Sequence, residues 1–226
     1  MRSDATTLRP VQCDAVIFDC DGVLVDSERL ANEVLVECIR PLGIALSVED
    51  AMARFCGVRM AQCVEQLESM RGGQLPESFV SEFRRRVASV FADRLKPVDG
   101  ALELVQSMTL PYCVASSAPR EKIELTLSLT GFLSYFEGNI YSSYEIEDWK
   151  PSPGLFLHAC RAMGVAPERC AVVEDSLPGI QAGIAAGMTV FALQSHGVDP
   201  RIPSEVQVVS HLGQLRNVLR PGHGML

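Results

Sequence analysis

The sequence predicts an α/β protein in which a parallel-sheet core is interrupted by an inserted α-helical domain. From about residue 112 onward, short apolar segments alternate with amphipathic ones, which is the pattern of strand–helix units. Residues 28–95, in contrast, carry helical patterns and no convincing strand. A stretch of roughly 70 residues is too long for an ordinary connection between two strands. We therefore interpret it as a helical cap inserted into the core.

The first strand and the cap helices follow from the hydrophobic pattern. Ala15 to Phe18 is a wholly apolar run, which predicts a buried strand. Helices are predicted from Glu28 to the Pro41–Gly43 break, and over Val48–Phe55, Met60–Met70 and Glu77–Leu95. The segment Lys96–Gly100 contains proline, aspartate and glycine, and it predicts a linker that returns to the core.

Five further strands are predicted after this linker. They are Tyr112–Ala115, Asn139–Ser142, Ala171–Val173, Thr189–Leu193 and, as the last strand of the chain, Val206–Val209. Helices are expected to begin near Pro119 and Pro153 and to cover Pro178–Gly187. The resulting core is Rossmann-like and comprises residues 13–27 and 96–226, with the cap at residues 28–95.

The composition excludes several classes of function. The net charge of −8 argues against nucleic-acid binding, which needs a basic surface to neutralise phosphates. The first 14 residues lack the apolar run of a secretory signal, and Ile180–Leu193 is too short to span a membrane. The eight cysteines form no Cys-x-x-Cys pair, so no zinc site is expected. We expect a cytoplasmic protein with reduced thiols, without membrane association, that is a monomer or weak dimer.

The polar residues of interest all follow predicted strands. In open α/β sheets, ligands bind beyond the carboxyl ends of the strands, so these side chains are expected to converge. Clustered carboxylates repel each other by about 4 kcal/mol per close pair at moderate dielectric, and Mg²⁺ suits such all-oxygen ligands. The residues are Asp19 and Asp21 after the first strand, Ser116 and Ser117 after the second, Lys150 after the third, and Glu174 and Asp175 after the fourth.

Four segments around these residues resemble the motifs of the haloacid dehalogenase superfamily, in the family's order and spacing. An Asp-x-Asp-Gly alone would be a weak signal, since it also occurs in turns and calcium loops. The segments are Asp19–Ser27 (DCDGVLVDS), Val114–Ser117 (VASS), Lys150–Pro153 (KPSP) and Val172–Gly183 (VVEDSLPGIQAG). From the first segment to the last, the match spans nearly the whole core.

The resemblance implies a role for each catalytic residue. Asp19 is implied to be the nucleophile that forms an aspartyl-phosphate, and Asp21 the general acid and base. Ser116 is implied to donate a hydrogen bond to the phosphoryl oxygens, whereas Ser117 fits a phosphate contact and an ordinary loop residue equally well. Lys150 is implied to neutralise charge on the phosphoryl group and on Asp19.

The resemblance also implies Mg²⁺ as the cofactor and a small phosphorylated metabolite as the substrate. The ligands of the Mg²⁺ ion would be the carboxylate of Asp19, the backbone carbonyl of Asp21, and Asp175. Glu174 would join them directly or through water. The metal would offset the repulsion between a carboxylate nucleophile and an anionic phosphate.

The cap is implied to close over the substrate. Gly57-Val58-Arg59 connects two predicted cap helices, and Arg59 could bind an anionic part of the substrate, although a solvated surface arginine explains it equally well. Glu28 and Asn32, one turn apart on the first cap helix, are comparable candidates.

For three polar residues, a structural role is the simpler interpretation. Asp26 and Ser27 fit caps of the first cap helix better than catalytic groups. The pair His196-Gly197 fits a surface turn.

Three alternatives compete with hydrolysis of a phosphomonoester. The β-phosphoglucomutases share the fold and cap, but carry a histidine about 12 residues after the nucleophile, where this chain has Ala31. A non-catalytic binding or regulatory protein is disfavoured because no catalytic position is lost, and a haloalkanoic acid dehalogenase would leave Asp21 without a role. The chain further resembles bacterial sugar-phosphate phosphatases, including those acting on 6-phosphogluconate.

Overall fold

The computed structural model describes residues 8–195 and 197–222. The prediction that the N-terminus lacks a secretory signal rests partly on residues 1–7, and the predicted surface turn rests partly on His196. These residues lie outside the described ones. The strands are β1 (Val11–Cys13), β2 (Ala15–Phe18), β3 (Tyr112–Ser116), β4 (Ile140–Ser142), β5 (Cys170–Glu174), β6 (Thr189–Leu193), β7 (Gln207–Val209) and β8 (Leu219–Pro221). The α-helices are α1 (Glu28–Ile39), α2 (Val48–Phe55), α3 (Met60–Arg71), α4 (Phe79–Arg94), α5 (Ala101–Ser107), α6 (Arg120–Leu129), α7 (Ser143–Ile146), α8 (Gly154–Met163) and α9 (Leu177–Ala185).

The core is a six-stranded, fully parallel sheet with the order β4-β3-β2-β5-β6-β7. Strand β2 pairs with β3 on one side and with β5 on the other, so the chain changes direction across the sheet at β2. This is the topological switch point, where the loops after the three central strands diverge and leave room for a ligand.

A second, two-stranded sheet corrects one sequence prediction. Strand β8 follows β7 and pairs in parallel with β1, so Val206–Val209 does not contain the last strand of the chain. Each of these two strands has only three residues, which is too short for a hydrophobic pattern to mark it as a strand in the sequence.

The cap helices α1–α4 build their own hydrophobic core. On α4 the apolar residues recur every four positions, which places them on one face of the helix. These residues are Phe79, Phe83, Val87 and Phe91, and all four are buried. They pack with the buried faces of α1, α2 and α3.

The two segments that connect the cap to the core run side by side. The backbone N–H of Asp26 donates to the carbonyl of Lys96 at 2.9 Å, and that of Val98 donates to Leu24 at 2.9 Å. An isolated bridge also joins Val25 to Pro97. The cap therefore enters and leaves the core at one place.

Among the described helices, none is both long enough and apolar enough to cross a membrane. All eight cysteines are free thiols, and six of them are buried.

Candidate active site

The carboxyl ends of the three central strands converge on a cavity of about 420 Å³ between the core and the cap. Its floor includes Asp19 and Asp21 after β2, Ser116 and Ser117 at the end of β3, Lys150, and Asp175 after β5. The structure therefore brings together the polar residues that the sequence places after separate strands.

Asp19 and Lys150 form a buried ion pair on this floor. The Nζ atom of Lys150 donates to Oδ1 of Asp19 at 2.5 Å and to Oε1 of Glu174 at 2.5 Å, and it also reaches the carbonyl of Ala115 at 3.2 Å. Burial raises the pKa of Asp19 to about 7, even though Lys150 opposes the shift. Burial alone would lower the pKa of Lys150, but the carboxylates of Asp19 and Glu174 raise it. Lys150 is thus a charged, fixed donor and not an ordinary loop lysine.

Glu174 is fully buried and organises the loop after β5. Its Oε2 accepts the backbone N–H groups of Asp175 at 2.9 Å and Ser176 at 3.0 Å, as well as the Ser176 hydroxyl at 2.9 Å. Its other oxygen, Oε1, accepts a hydrogen bond from Lys150. With both oxygens engaged, Glu174 supports Lys150 and the loop, and this arrangement favours a positioning role over direct metal ligation.

Three carboxylates lie close enough to share a cation. Asp19, Glu174 and Asp175 each offer an oxygen within 4.8 Å of the others. Burial, followed by the charges of Glu174 and Asp19, raises the pKa of Asp175 well above its usual range. Ionised carboxylates packed this closely need a counter-charge, and an all-oxygen site fits Mg²⁺.

Asp21 is held by two donors. Its Oδ1 accepts the hydroxyl of Ser27 at 2.5 Å, and its Oδ2 accepts the Nζ of Lys122 at 2.8 Å. Burial would raise the pKa of Asp21, but Lys122 and Ser27 together lower it. The Ser27 side chain makes no capping hydrogen bond to α1, so the prediction that it caps this helix is wrong.

The two serines at the end of β3 differ in their surroundings. Ser116 is buried, and its hydroxyl oxygen accepts the backbone N–H of Ala118 at 3.1 Å. The hydroxyl proton of Ser116 remains available to an anion. Ser117 is half-buried and also lines the cavity.

The cap contributes the opposite wall of the cavity. The loop containing Gly57 packs against Ser176, and the guanidinium of Arg59 lies 4.2 Å from the centre of the Trp149 ring in the core. Burial and the nearby Asp21 charge raise the pKa of Glu28. Asn32 donates to the backbone carbonyl of Glu28 at 2.9 Å. The predicted cap residues therefore all face the site, as does Ala31.

The sequence reasoning missed two cations that line this cavity. Lys122, on α6, contacts Asp21, and Arg84, on α4, donates to the hydroxyl of Tyr144 at 3.3 Å. A compositional signal was present for the first: of the 20 lysine and arginine residues, only three are lysines, namely Lys96, Lys122 and Lys150.

Comparisons with known proteins place this chain in one family. A family model described as haloacid dehalogenase-like hydrolase matches residues 13–187. The chain is 37% identical over 205 residues to 6-phosphogluconate phosphatase of Escherichia coli K12, covering 89% of this chain and 92% of that protein.

Two solved structures extend the comparison. A haloacid dehalogenase-like protein of unknown function from Agrobacterium tumefaciens is 32% identical, with a TM-score of 0.78 over 91% of this chain and 97% of that one. A candidate β-phosphoglucomutase from Thermotoga maritima is 27% identical, with a TM-score of 0.70 over 91% and 97%.

The chain therefore belongs to the haloacid dehalogenase-like hydrolases. Within that family it is a phosphatase, and the predicted enzyme class is confirmed. The predicted fold class, a Rossmann-like parallel-sheet core with a helical cap, is also confirmed.

Proposed function

We propose that this phosphatase hydrolyses a small sugar or sugar-acid phosphate with Mg²⁺ through an aspartyl-phosphate at Asp19. The observation that carries the proposal is the buried Asp19 carboxylate at the switch point of the sheet, bonded to Lys150 at 2.5 Å. A carboxylate held by a fixed cation at the base of the cavity between core and cap suits attack on an anionic phosphorus centre.

In the first step, an oxygen of Asp19 attacks phosphorus and the bond to the substrate's ester oxygen breaks. Asp21 gives a proton to that oxygen, so an alcohol leaves. Lys150 and the hydroxyl of Ser116 stabilise the charge on the phosphoryl oxygens, and Ser117 adds a contact at the cavity wall.

In the second step, water attacks the phosphorus of the aspartyl-phosphate. Asp21 accepts a proton from this water, the bond from phosphorus to Asp19 breaks, and phosphate leaves.

The proposed Mg²⁺ ligands are the carboxylates of Asp19 and Asp175 and the backbone carbonyl of Asp21, with Glu174 as a neighbouring carboxylate. When bound, Mg²⁺ supplies positive charge that offsets the repulsion between nucleophile and phosphate. Because Glu174 accepts a hydrogen bond from Lys150, it keeps the lysine directed at Asp19.

The proposed substrate is 6-phosphogluconate or a close analogue, based on the 37% identity to the Escherichia coli enzyme. We assign the catalytic core to residues 13–27 and 96–226 and the substrate-covering cap to residues 28–95. Arg59 would bind the substrate's carboxylate, which lies at the end distant from the phosphate. Glu28 would accept a hydrogen bond from a hydroxyl of the sugar chain. The protein would act on a soluble metabolite in the cytoplasm, without nucleic-acid or membrane partners.

The test is phosphate release by the purified protein from a panel of sugar phosphates, sugar-acid phosphates and nucleotides. We expect Mg²⁺-dependent release that is greatest with 6-phosphogluconate, is lost with a chelator, and is poorly supported by Ca²⁺. Calcium prefers looser coordination with more ligands, which would misalign the attack. Full activity in excess chelator would refute the metal site, and a uniformly low rate on sugar phosphates would refute the substrate class.

The second candidate is phosphoryl transfer to a sugar, as in a β-phosphoglucomutase, because the candidate mutase from Thermotoga maritima has a similar fold. Ala31 in the cavity wall opposes this alternative.

A further inference from the structure

Lys122 occupies a defined position beside the proposed acid–base residue. It lies in the first turn of α6, 101 residues along the chain from Asp21, and its Nζ donates to Oδ2 of Asp21 at 2.8 Å. The helix is anchored against the same loop, because Thr126, one turn further on, contacts Cys20 with 3.6 Å between the side-chain oxygen and sulfur. The position of Lys122 is therefore fixed by the packing of α6.

Lys122 and Ser27 hold the two oxygens of one carboxylate. Ser27 donates to Oδ1 and Lys122 to Oδ2, and the two donors belong to different elements: the entrance to the cap and a core helix. A carboxylate bonded at both oxygens cannot rotate without breaking one of these bonds. The two donors therefore select one orientation of the Asp21 side chain.

A surface ion pair does not explain this contact. The Asp21 side chain is only 15% exposed, and both residues line the cavity. Among the described residues, Lys122 is the one basic side chain within ion-pair distance of Asp21. Exposed pairs contribute little to stability, whereas a donor to a nearly buried carboxylate strongly affects its orientation.

Lysine is an uncommon cation in this chain, and its placement is informative. The chain carries 17 arginines against three lysines, so arginine is its usual cation. Two of the three lysines bind the proposed catalytic aspartates, Lys150 at Asp19 and Lys122 at Asp21. An ammonium is a compact donor that fits beside a carboxylate where a planar guanidinium is harder to place.

We propose that Lys122 is a positioning residue: together with Ser27 it holds the Asp21 carboxylate in the orientation from which this residue exchanges protons with the leaving oxygen and with water. The assignment rests on the proposed function and deepens it. It makes Lys122 act through Asp21 and not through a contact with the substrate.

The experiment compares Lys122→Met in two backgrounds, wild type and Asp21→Asn, using 6-phosphogluconate and both steady-state and single-turnover phosphate release. In the wild-type background we expect kcat to fall about ten- to hundredfold, the range seen when a supporting hydrogen bond to a catalytic group is removed, with KM changed little. In the Asp21→Asn background, the same substitution should change the rate less than about twofold, because the group it positions is already lost.

Two further variants complete the design. Lys122→Arg should recover part of the lost rate, since it restores a cationic donor. Arg161→Met, at an exposed position on α8, removes the same charge away from the site and should leave kcat unchanged. Matching thermal unfolding midpoints would exclude a folding defect.

The outcomes separate the two proposals. If Lys122→Met lowers the rate by the same factor in both backgrounds, or raises KM more than it lowers kcat, Lys122 contacts the substrate and the positioning role is wrong. If Lys122→Met turns over like the wild type, this assignment alone fails. If the folded wild type hydrolyses no phosphomonoester, the proposed function and this assignment fail together.

Discussion

A side-chain carbon placed on Gly22 would lie 2.1 Å from Oδ2 of Asp175. The loop after β2 thus approaches the loop after β5 so closely that only a glycine fits between them. The same glycine has φ of +83°, which residues with a side chain rarely adopt. Two requirements, close approach and a left-handed backbone, therefore coincide in the segment that carries both proposed catalytic aspartates.

Gly22→Ala should abolish activity by displacing Asp175, and Gly43→Ala is its matched control. Gly43 also has φ of +83°, but a side-chain carbon there would meet no atom within 4 Å. Gly43→Ala should lose about 1–2 kcal/mol of unfolding free energy through backbone strain, and Gly22→Ala at least as much. Only Gly22→Ala should lose at least about a hundredfold in kcat/KM, about 2.7 kcal/mol. Equal activity losses in the two variants would show that strain, and not Asp175, is responsible.

Asp19→Asn should abolish turnover and leave the fold intact. The amide is nearly the same size, but it is a poor nucleophile, so we expect kcat to fall at least about a thousandfold, about 4 kcal/mol. Asp26→Asn is the control, because Asp26 is exposed and lies seven residues further along the same segment. A variant at position 19 that kept a tenth of the wild-type kcat would rule out Asp19 as the nucleophile.

The effect of Mg²⁺ on stability should depend on pH. Burial raises the pKa of Asp19 from 3.8 to about 7 in the metal-free protein, and the pKa of Asp175 shifts in the same direction. At pH values between 3.8 and about 7, the folded state binds more protons at Asp19 than the unfolded state does. The contribution of protonated Asp19 to the stability of the fold is therefore lost as the pH rises through about 7.

Mg²⁺ binds the ionised carboxylates, so it competes with these protons. We therefore expect Mg²⁺ to raise the thermal unfolding midpoint more at about pH 8 than at about pH 5.5, because the carboxylates shift from protonated to ionised between the two. Asp175→Asn should remove most of this difference. An equal effect of Mg²⁺ at both pH values would contradict the proposed ligands.

The sequence identifies the core chemistry because buried parallel strands are apolar runs, and each run ends at a polar residue of the site. Asp19, Ser116 and Glu174 could be placed in this way. Lys122 could not, because its contact with Asp21 depends on how α6 packs against the loop after β2.

Ser27 shows a second limit of sequence reasoning. A serine before a helix fits a cap, and local sequence cannot tell that its hydroxyl turns to Asp21 instead. The pairing of β1 with β8 joins the two ends of the described chain, and no local pattern predicts such a contact.

Arg59→Met should reduce selectivity for a substrate with a distal carboxylate. The guanidinium of Arg59 lines the cavity and lies 4.2 Å from the centre of the Trp149 ring, and its N–H groups can bind a carboxylate. The matched substrates are 6-phosphogluconate and glucitol 6-phosphate, which differ at the carboxylate carbon. The ratio of their kcat/KM values should fall about tenfold or more, as expected for a lost hydrogen bond to a charged group.

Arg54→Met is the control for this comparison. Arg54 is also exposed and lies in the cap, on α2, but it does not line the cavity. The substrate ratio should be unchanged in this variant. If Arg59→Met slows both substrates equally, Arg59 serves cap closure and not carboxylate recognition.

Water, and not a sugar, should be the second phosphoryl acceptor. Hydrolysis and mutase chemistry share the aspartyl-phosphate at Asp19, so the choice depends on what reaches it next. A mutase must protect that intermediate until its sugar returns. The cap histidine that the mutases carry corresponds to Ala31, which lines the cavity on α1 and whose methyl group can neither donate nor accept a proton. In the proposed mechanism, Asp21, held by Ser27 and Lys122, activates that water. We therefore expect phosphate and alcohol to form in equal amounts from the preferred substrate, with no bisphosphate.

The decisive assay offers β-glucose 1-phosphate with a trace of the bisphosphate and measures glucose 6-phosphate and free phosphate together. Isomerisation faster than phosphate release would establish the mutase reaction and show that Ala31 does not decide the acceptor.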